Sequence, residues 1–145
     1  NRCIPATVED RELGESYFKT LRYPFSHKMA ATRAGIGWIG KTDLLVSEKF
    51  GPRVRMATVL TNYAFETVGT PVTESRCGNC TLCVERCPGQ AANGTPWNIA
   101  IDRDFFFNAV KCRETCRMRS LEYIQKEISI CGICVSVCPI GKKKK

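Results

Sequence analysis

The chain has 145 residues, 43% of them hydrophobic, with ten cysteines and a formal charge of +8. That length suits one domain or two small ones, and the apolar fraction excludes wholesale disorder. The charge leans on the solvated Lys142–Lys145 tail, no dedicated basic groove is visible, no apolar run nears the ~18 residues of a membrane span, and no secretory signal opens the sequence.

Thr7 to Thr20 reads as a short helix, with Thr7 as N-cap and Glu9, Asp10 and Glu12 placing negative charge near the first turn. Pro24 interrupts, and Ser26 to Ala34 forms a second, Ala-rich helix ended by Gly35. Residues 43–47 and 54–61 are strands, and the turn-rich stretch from Glu48 to Arg53 between them predicts a β-hairpin. Residues 62–76 are loop, with Gly69 and Pro71, and the boundary between two units falls there. A second loop covers 89–98. Asp104 to Cys112 and Met118 to Ile128 are short helices between two cysteine runs.

Those runs carry the chemistry. The first is Cys77-x2-Cys80-x2-Cys83-x3-Cys87-Pro88 and the second is Cys131-x2-Cys134-x3-Cys138-Pro139. A C-x2-C-x2-C-x3-C-P run is the spacing by which bacterial ferredoxins hold [4Fe–4S] clusters, its fourth cysteine serving the other cluster. Three cysteines on a tight loop wrap one cube, which assigns Cys77, Cys80 and Cys83 to a first cluster completed by Cys138. Cys87, Cys131 and Cys134 then belong to a second cluster that is one ligand short. In a symmetric ferredoxin the missing cysteine would stand where this chain has Ile128. The fourth donor is Cys112 or Cys116, with Cys112 preferred. Cys3 and the remaining cysteine are spare thiols, and the bland role for a spare cysteine is small apolar filler. Secreted disulfide scaffolds and zinc modules are also cysteine-dense. The missing signal, the confinement of cysteines mostly to one half and the short spacings argue for shared ligands in a reducing cytosol. Zinc is the structural alternative.

Gly35-Ile-Gly37-Trp38-Ile-Gly40-Lys41-Thr42 matches both a dinucleotide fingerprint and a Walker A string. Both need a strand before the glycines and a helix after them. The order here is reversed, so the glycines are expected to let the backbone approach something flat, or another segment, closely. His27 is the lone histidine and has no nucleophile context. Asp102 and Asp104 read as a solvated helix start, and Phe105 to Phe107 as core packing against the clusters.

Ala30 to Lys41, Leu44 to Val46, Phe50-Gly51, Val54-Arg55 and Val59 to Thr61, followed by the two cysteine runs with a lone cysteine between them, resemble the epoxyqueuosine reductase family and the related corrinoid reductive dehalogenases. The resemblance covers about residues 25–141. It implies two clusters that pass single electrons to a base-off corrinoid lying against Gly35, Gly37, Trp38, Gly40 and Lys41, whose reduced cobalt then removes oxygen or halogen from a substrate. It also maps the family's lone cysteine onto Cys112. Family members carry more chain upstream, and Asn1 in place of an initiator Met is expected of a trimmed or partial chain. They share an Asp-x-x-Pro segment whose Asp is the proposed proton donor; Pro24 matches, but Leu21 stands in the acid's place. The resemblance therefore implies a relative rather than an authentic epoxyqueuosine reductase.

The expected architecture is α+β: a small α/β N-terminal segment with a hairpin over residues 1–70, then a ferredoxin-like dicluster [4Fe–4S] domain over 71–145. The expected function is one-electron transfer by a cytoplasmic iron–sulfur protein. The alternative is a cobalamin-dependent reductase, truncated or completed by a second chain. A redox partner protein or a corrinoid is the expected partner, with no membrane; nucleic acid, tRNA in particular, finds little in the sequence to carry it.

Overall fold

The computed structural model describes residues 2–6 and 13–142. In chain order the elements are β1 (Cys3–Pro5), α1 (Glu15–Thr20), α2 (His27–Arg33), β2 (Gly37–Ile39), β3 (Leu45–Ser47), β4 (Val59–Thr61), α3 (Leu82–Glu85), α4 (Arg103–Phe106), α5 (Ala109–Ile124) and α6 (Ile133–Val137). The predicted first helix begins at Glu15; Thr7, Glu9, Asp10 and Glu12 lie outside the described residues. The second is α2, and Ser26 caps it by accepting the Met29 N–H at 3.2 Å.

The strand pairing differs from the expected hairpin. β3 pairs antiparallel with β2, in register Gly37↔Ser47, Trp38↔Val46 and Ile39↔Leu45, while β4 pairs with β1. The stretch after β3 folds back on itself through a Ser47–Gly51 bridge, so it never hands the chain on to 54–61. β2 hides in the sequence because its glycines read as loop. Gly37 is needed there: a Cβ on it would lie 2.2 Å from the Val46 carbonyl oxygen.

Both faces of the β2–β3 hairpin are covered, which makes three-residue strands viable. Ile39 and Leu45 pack on one face with Ala31 of α2 and with Phe106, which is 2% exposed. Trp38 and Val46 pack on the other with Val72, Cys77 and Ile140. The period-two alternation of a strand thus sends Trp38 toward the cysteine runs and Ile39 toward the aliphatic core.

The region between the cysteine runs also differs in detail. A four-residue α4 ends at Phe106, and α5 runs unbroken for 16 residues where two short helices were expected. Asn108 restarts the helix, its Oδ1 accepting the Lys111 N–H at 2.8 Å. Phe106 joins the aliphatic core, whereas Phe105 is 65% exposed, so the Phe105 to Phe107 run is not a unit packed on the cysteines. Asp102 caps α4 through its own Oδ1, and its carboxylate and that of Asp104 pair with Arg22.

Candidate metal centre

The turn of the β2–β3 hairpin sits beneath the first cysteine run. Trp38 Nε1 donates to Cys77 Sγ at 3.3 Å. Lys41 is buried, and its Nζ donates to the carbonyls of Gly78 and Cys80, each at 3.0 Å. A buried ammonium is costly unless it is hydrogen-bonded, and these two carbonyls repay part of that cost while fixing the loop that bears Cys77, Cys80 and Cys83. Thr42 is buried as well, and its hydroxyl lies near enough to Cys83 and Cys134 to favour the thiolate of each.

Cys83 lies on α3 and Cys134 on α6, and these two short helices pack together. Burial pushes the Cys83 thiol above its ordinary range; the Thr42 hydroxyl opposes this, and Cys77, Cys138 and Cys80 add to it. Burial likewise raises Cys112, opposed by a hydrogen bond with Cys116 and reinforced by Cys131, Cys87 and Asp43. Cys134 is pushed up to about 11 by burial and Cys131, with Thr42 opposing and Cys112 adding a smaller push.

The thiols therefore form two neighbourhoods. One holds Cys77, Cys80, Cys83 and Cys138; the other holds Cys87, Cys112, Cys131 and Cys134. Cys116 borders the second, and Cys3 stands apart at the surface beside Thr61. Among the described residues, no three His, Cys, Asp or Glu side chains close tightly enough on one point to hold a single metal ion. Tetrahedral zinc draws its sulfurs to within about 3.8 Å of each other, whereas a cubane with an iron at each of four corners needs them further apart.

Features that sequence reasoning missed hold the second run in place. Arg53, between β3 and β4, donates to the carbonyls of Ile140 at 2.8 Å, Val135 at 2.9 Å and Cys138 at 2.7 Å. The Val135 and Cys138 carbonyls belong to the end of α6 and its cap, and that of Ile140 lies just beyond, so one guanidinium satisfies several exposed acceptors at once. Gly51, at φ +59°, abuts the same exit, where a Cβ would fall 2.0 Å from the Ile140 oxygen. Ile128, the residue in place of a ligand, is bound at its N–H (2.9 Å) and carbonyl (2.8 Å) to the buried Ser120 hydroxyl of α5. A single arginine and a single serine give no sequence pattern, so neither could be found by motif. The Ala91 N–H adds a bond to Cys87 Sγ at 3.4 Å.

The Gly-rich string is divided between two sites. Gly35 borders a groove of about 800 Å³ together with Ala34, Ile36, Phe50, Met56 and Thr70. Gly37, Trp38, Gly40 and Lys41 are turned away from that groove; Gly37 meets β3, and the others meet the cysteine loop or Val46. Alternation along β2 and the need to bury Trp38 explain the split. His27 borders the groove with its Nδ1 2.8 Å from Thr58 Oγ1. Leu21, in place of the family acid, ends α1 in the left-handed region at φ +50°. It borders a second cavity of about 600 Å³ where, among the described residues, Asp43 is the lining carboxylate and is paired with Lys28.

Residues 76–141 match the family model described as a 4Fe-4S double cluster binding domain. The chain is 31% identical over 121 residues to an epoxyqueuosine reductase of Synechocystis sp., covering 83% of this chain and 41% of that protein. It is 35% identical over 119 residues to that of Lactococcus garvieae, covering 77% and 31%. Among solved structures, an epoxyqueuosine reductase with a tRNA-Tyr epoxyqueuosine-modified stem loop superposes with a TM-score of 0.61 at 27% identity, over 99% of this chain and 34% of that one. The Bacillus subtilis enzyme, with its catalytic aspartate loop swung out of the active site, gives 0.58 at 26% identity, over 90% and 36%. The chain thus spans about two fifths, or less, of the length of these relatives. Mixed helix and strand, an iron–sulfur double-cluster domain and this run of likenesses together mean that the chain belongs to the epoxyqueuosine reductase-like family.

Proposed function

We propose that the chain is the electron-input part of a reductase. Cys77, Cys80, Cys83 and Cys138 would hold one [4Fe–4S] cluster; Cys87, Cys112, Cys131 and Cys134 would hold the other. Bound there, the clusters supply one-electron transfer. The observation that carries this reading is the match of residues 76–141, which hold these eight cysteines, to a 4Fe-4S double cluster binding domain. The protein's own residues exclude water from the first quartet with Trp38 and Val72, and place the Lys41 cation beside its loop.

The test is anaerobic reconstitution followed by iron analysis and electron paramagnetic resonance (EPR). About eight irons per chain and two interacting reduced-cluster signals are expected. Colourless protein with stoichiometric zinc would sink the reading.

A second reading concerns the electron acceptor, and the groove beside Gly35 favours it. Its small-residue wall of Ala30, Ala34 and Gly35 would admit the face of a flat macrocycle such as a corrinoid. A saturable change in the spectrum of added cob(II)alamin is expected, and its absence would remove the corrinoid from this chain. The relative solved with a tRNA stem loop suggests the same ligand class for this chain. Binding of a tRNA anticodon stem loop that weakens with added salt is the corresponding measurement.

A further inference from the structure

We propose that Cys116 is a standby ligand of the second cluster, able to take over from Cys112 without loss of iron. The inference rests on the ligand reading given above.

Cys112 and Cys116 are one helical turn apart on α5, so their side chains emerge on the same face. Their Sγ atoms lie 4.0 Å apart in a thiol–thiol hydrogen bond that either can donate. Cys131, a member of the second quartet, is also among the electrostatic neighbours of Cys116. Cys116 is 5% exposed, yet it belongs to neither apolar cluster among the described residues. A cysteine acting only as filler would be expected to pack among aliphatic side chains. This one faces the Cys112 thiol instead.

The position is also held firmly. Ser120, one further turn along α5 and likewise buried, anchors the backbone of Ile128, three residues before Cys131. The helix and the start of the second run are thereby fixed relative to each other. Rotation about χ1 can carry the Cys116 sulfur about 3 Å with the helix in place, most of the 4.0 Å between the two sulfurs. In the exchange Cys116 gives its thiol proton to the Cys112 sulfur and takes the iron bond that Cys112 releases. One iron–sulfur bond breaks, one forms, and no electron moves.

The test compares the full chain with Cys112→Ala, Cys116→Ala and the double variant, each reconstituted anaerobically. Alanine is used because a serine oxygen can itself bind iron. Cys112→Ala and Cys116→Ala are each expected to keep about eight irons, the former with an altered EPR signal from one cluster, and the double variant to fall to about four. Cys112→Ala falling to about four irons overturns the proposal. Cys116→Ala falling to four overturns it too, since Cys116 would then be the resident ligand. A double variant that keeps eight does so as well, because the donor would lie elsewhere. Failure of the unaltered chain to reach eight would instead strike the two-cluster reading beneath. Circular dichroism of each metal-free variant checks the fold beforehand, and Cys112→Val, closer in volume, replaces the alanine if that fold is lost.

Discussion

Trp38 Nε1 donates to Cys77 Sγ at 3.3 Å, so a buried indole on β2 is bonded directly to a thiol of the first cysteine run. A donor aimed at a ligand sulfur stabilises the more negative, reduced state of a cluster. Trp38→Phe keeps a ring in the pocket and removes the donor. A hydrogen bond of about 1 kcal/mol corresponds to on the order of 40 mV in a one-electron couple. The expected outcome is a downward shift of that size in one midpoint potential, with the other unchanged and about eight irons retained. An EPR-monitored redox titration checks it, and equal shifts in both potentials would show that the indole acts through packing alone.

Thr42 gives a contrasting pattern, because its hydroxyl lies beside one thiol from each quartet and favours the thiolate of both. Thr42→Val preserves shape and deletes the hydroxyl. Both potentials are expected to move, by tens of millivolts each, and the protein to lose about 1 kcal/mol of stability. A variant in which only one potential moves would mean that the hydroxyl serves a single quartet.

The double-cluster domain was legible in the sequence because ligand spacing is local chemistry, repeated in two short cysteine runs. The helix from Ser26 and its glycine stop were legible for the same reason, through capping and φ. What failed was long-range. Pairing β3 with 54–61 assumed that neighbouring strands join, but the glycine-rich β2 took the partner, and only the buried pair Trp38 and Val46 shows why. The Gly-Lys-Thr string was recognised as no phosphate loop, yet its role beside the thiols was invisible, since Lys41 and Thr42 act on residues nearly forty or more positions away. Arg53 was missed for that reason too.

In the metal-free chain, burial raises Cys134 to about 11, and burial with neighbouring thiols raises Cys116 to about 12. An ordinary thiol titrates near 8.5. A raised folded-state pKa contributes stability that is complete below the unfolded value and lost as pH rises through the folded one. The denaturant midpoint of the metal-free protein is therefore expected to fall between about pH 9 and 12. Iron binding requires thiolates, so the cluster-loaded protein should lose the part of this fall that Cys134 contributes and keep that of Cys116, and cluster assembly should speed up from about pH 7 to 9. Cys116→Ala should flatten the upper part of the metal-free profile. A profile unchanged by that substitution would place the alkaline loss elsewhere.

Arg53 and Gly51 together secure Cys138, the one member of the first quartet that comes from the second run. The guanidinium bonds the Cys138 carbonyl, and Gly51 lets the Ile140 carbonyl approach where no Cβ fits. Arg53→Ala leaves several carbonyls at the end of α6 without their charged donor, at a cost of about 2–3 kcal/mol. Lysine can reach one or two of them but lacks the fork, so Arg53→Lys should recover less than half of the loss. Gly51→Ala forces the turn off the Ile140 carbonyl and should produce the same defect without any change of charge. In each variant the first cluster is expected to be the labile one: iron falls toward about four on chelator challenge, and Cys138 becomes the first of the cluster thiols to be alkylated, as mapped by mass spectrometry. Preferential alkylation of Cys131 or Cys134 would show instead that Arg53 and Gly51 secure the second quartet.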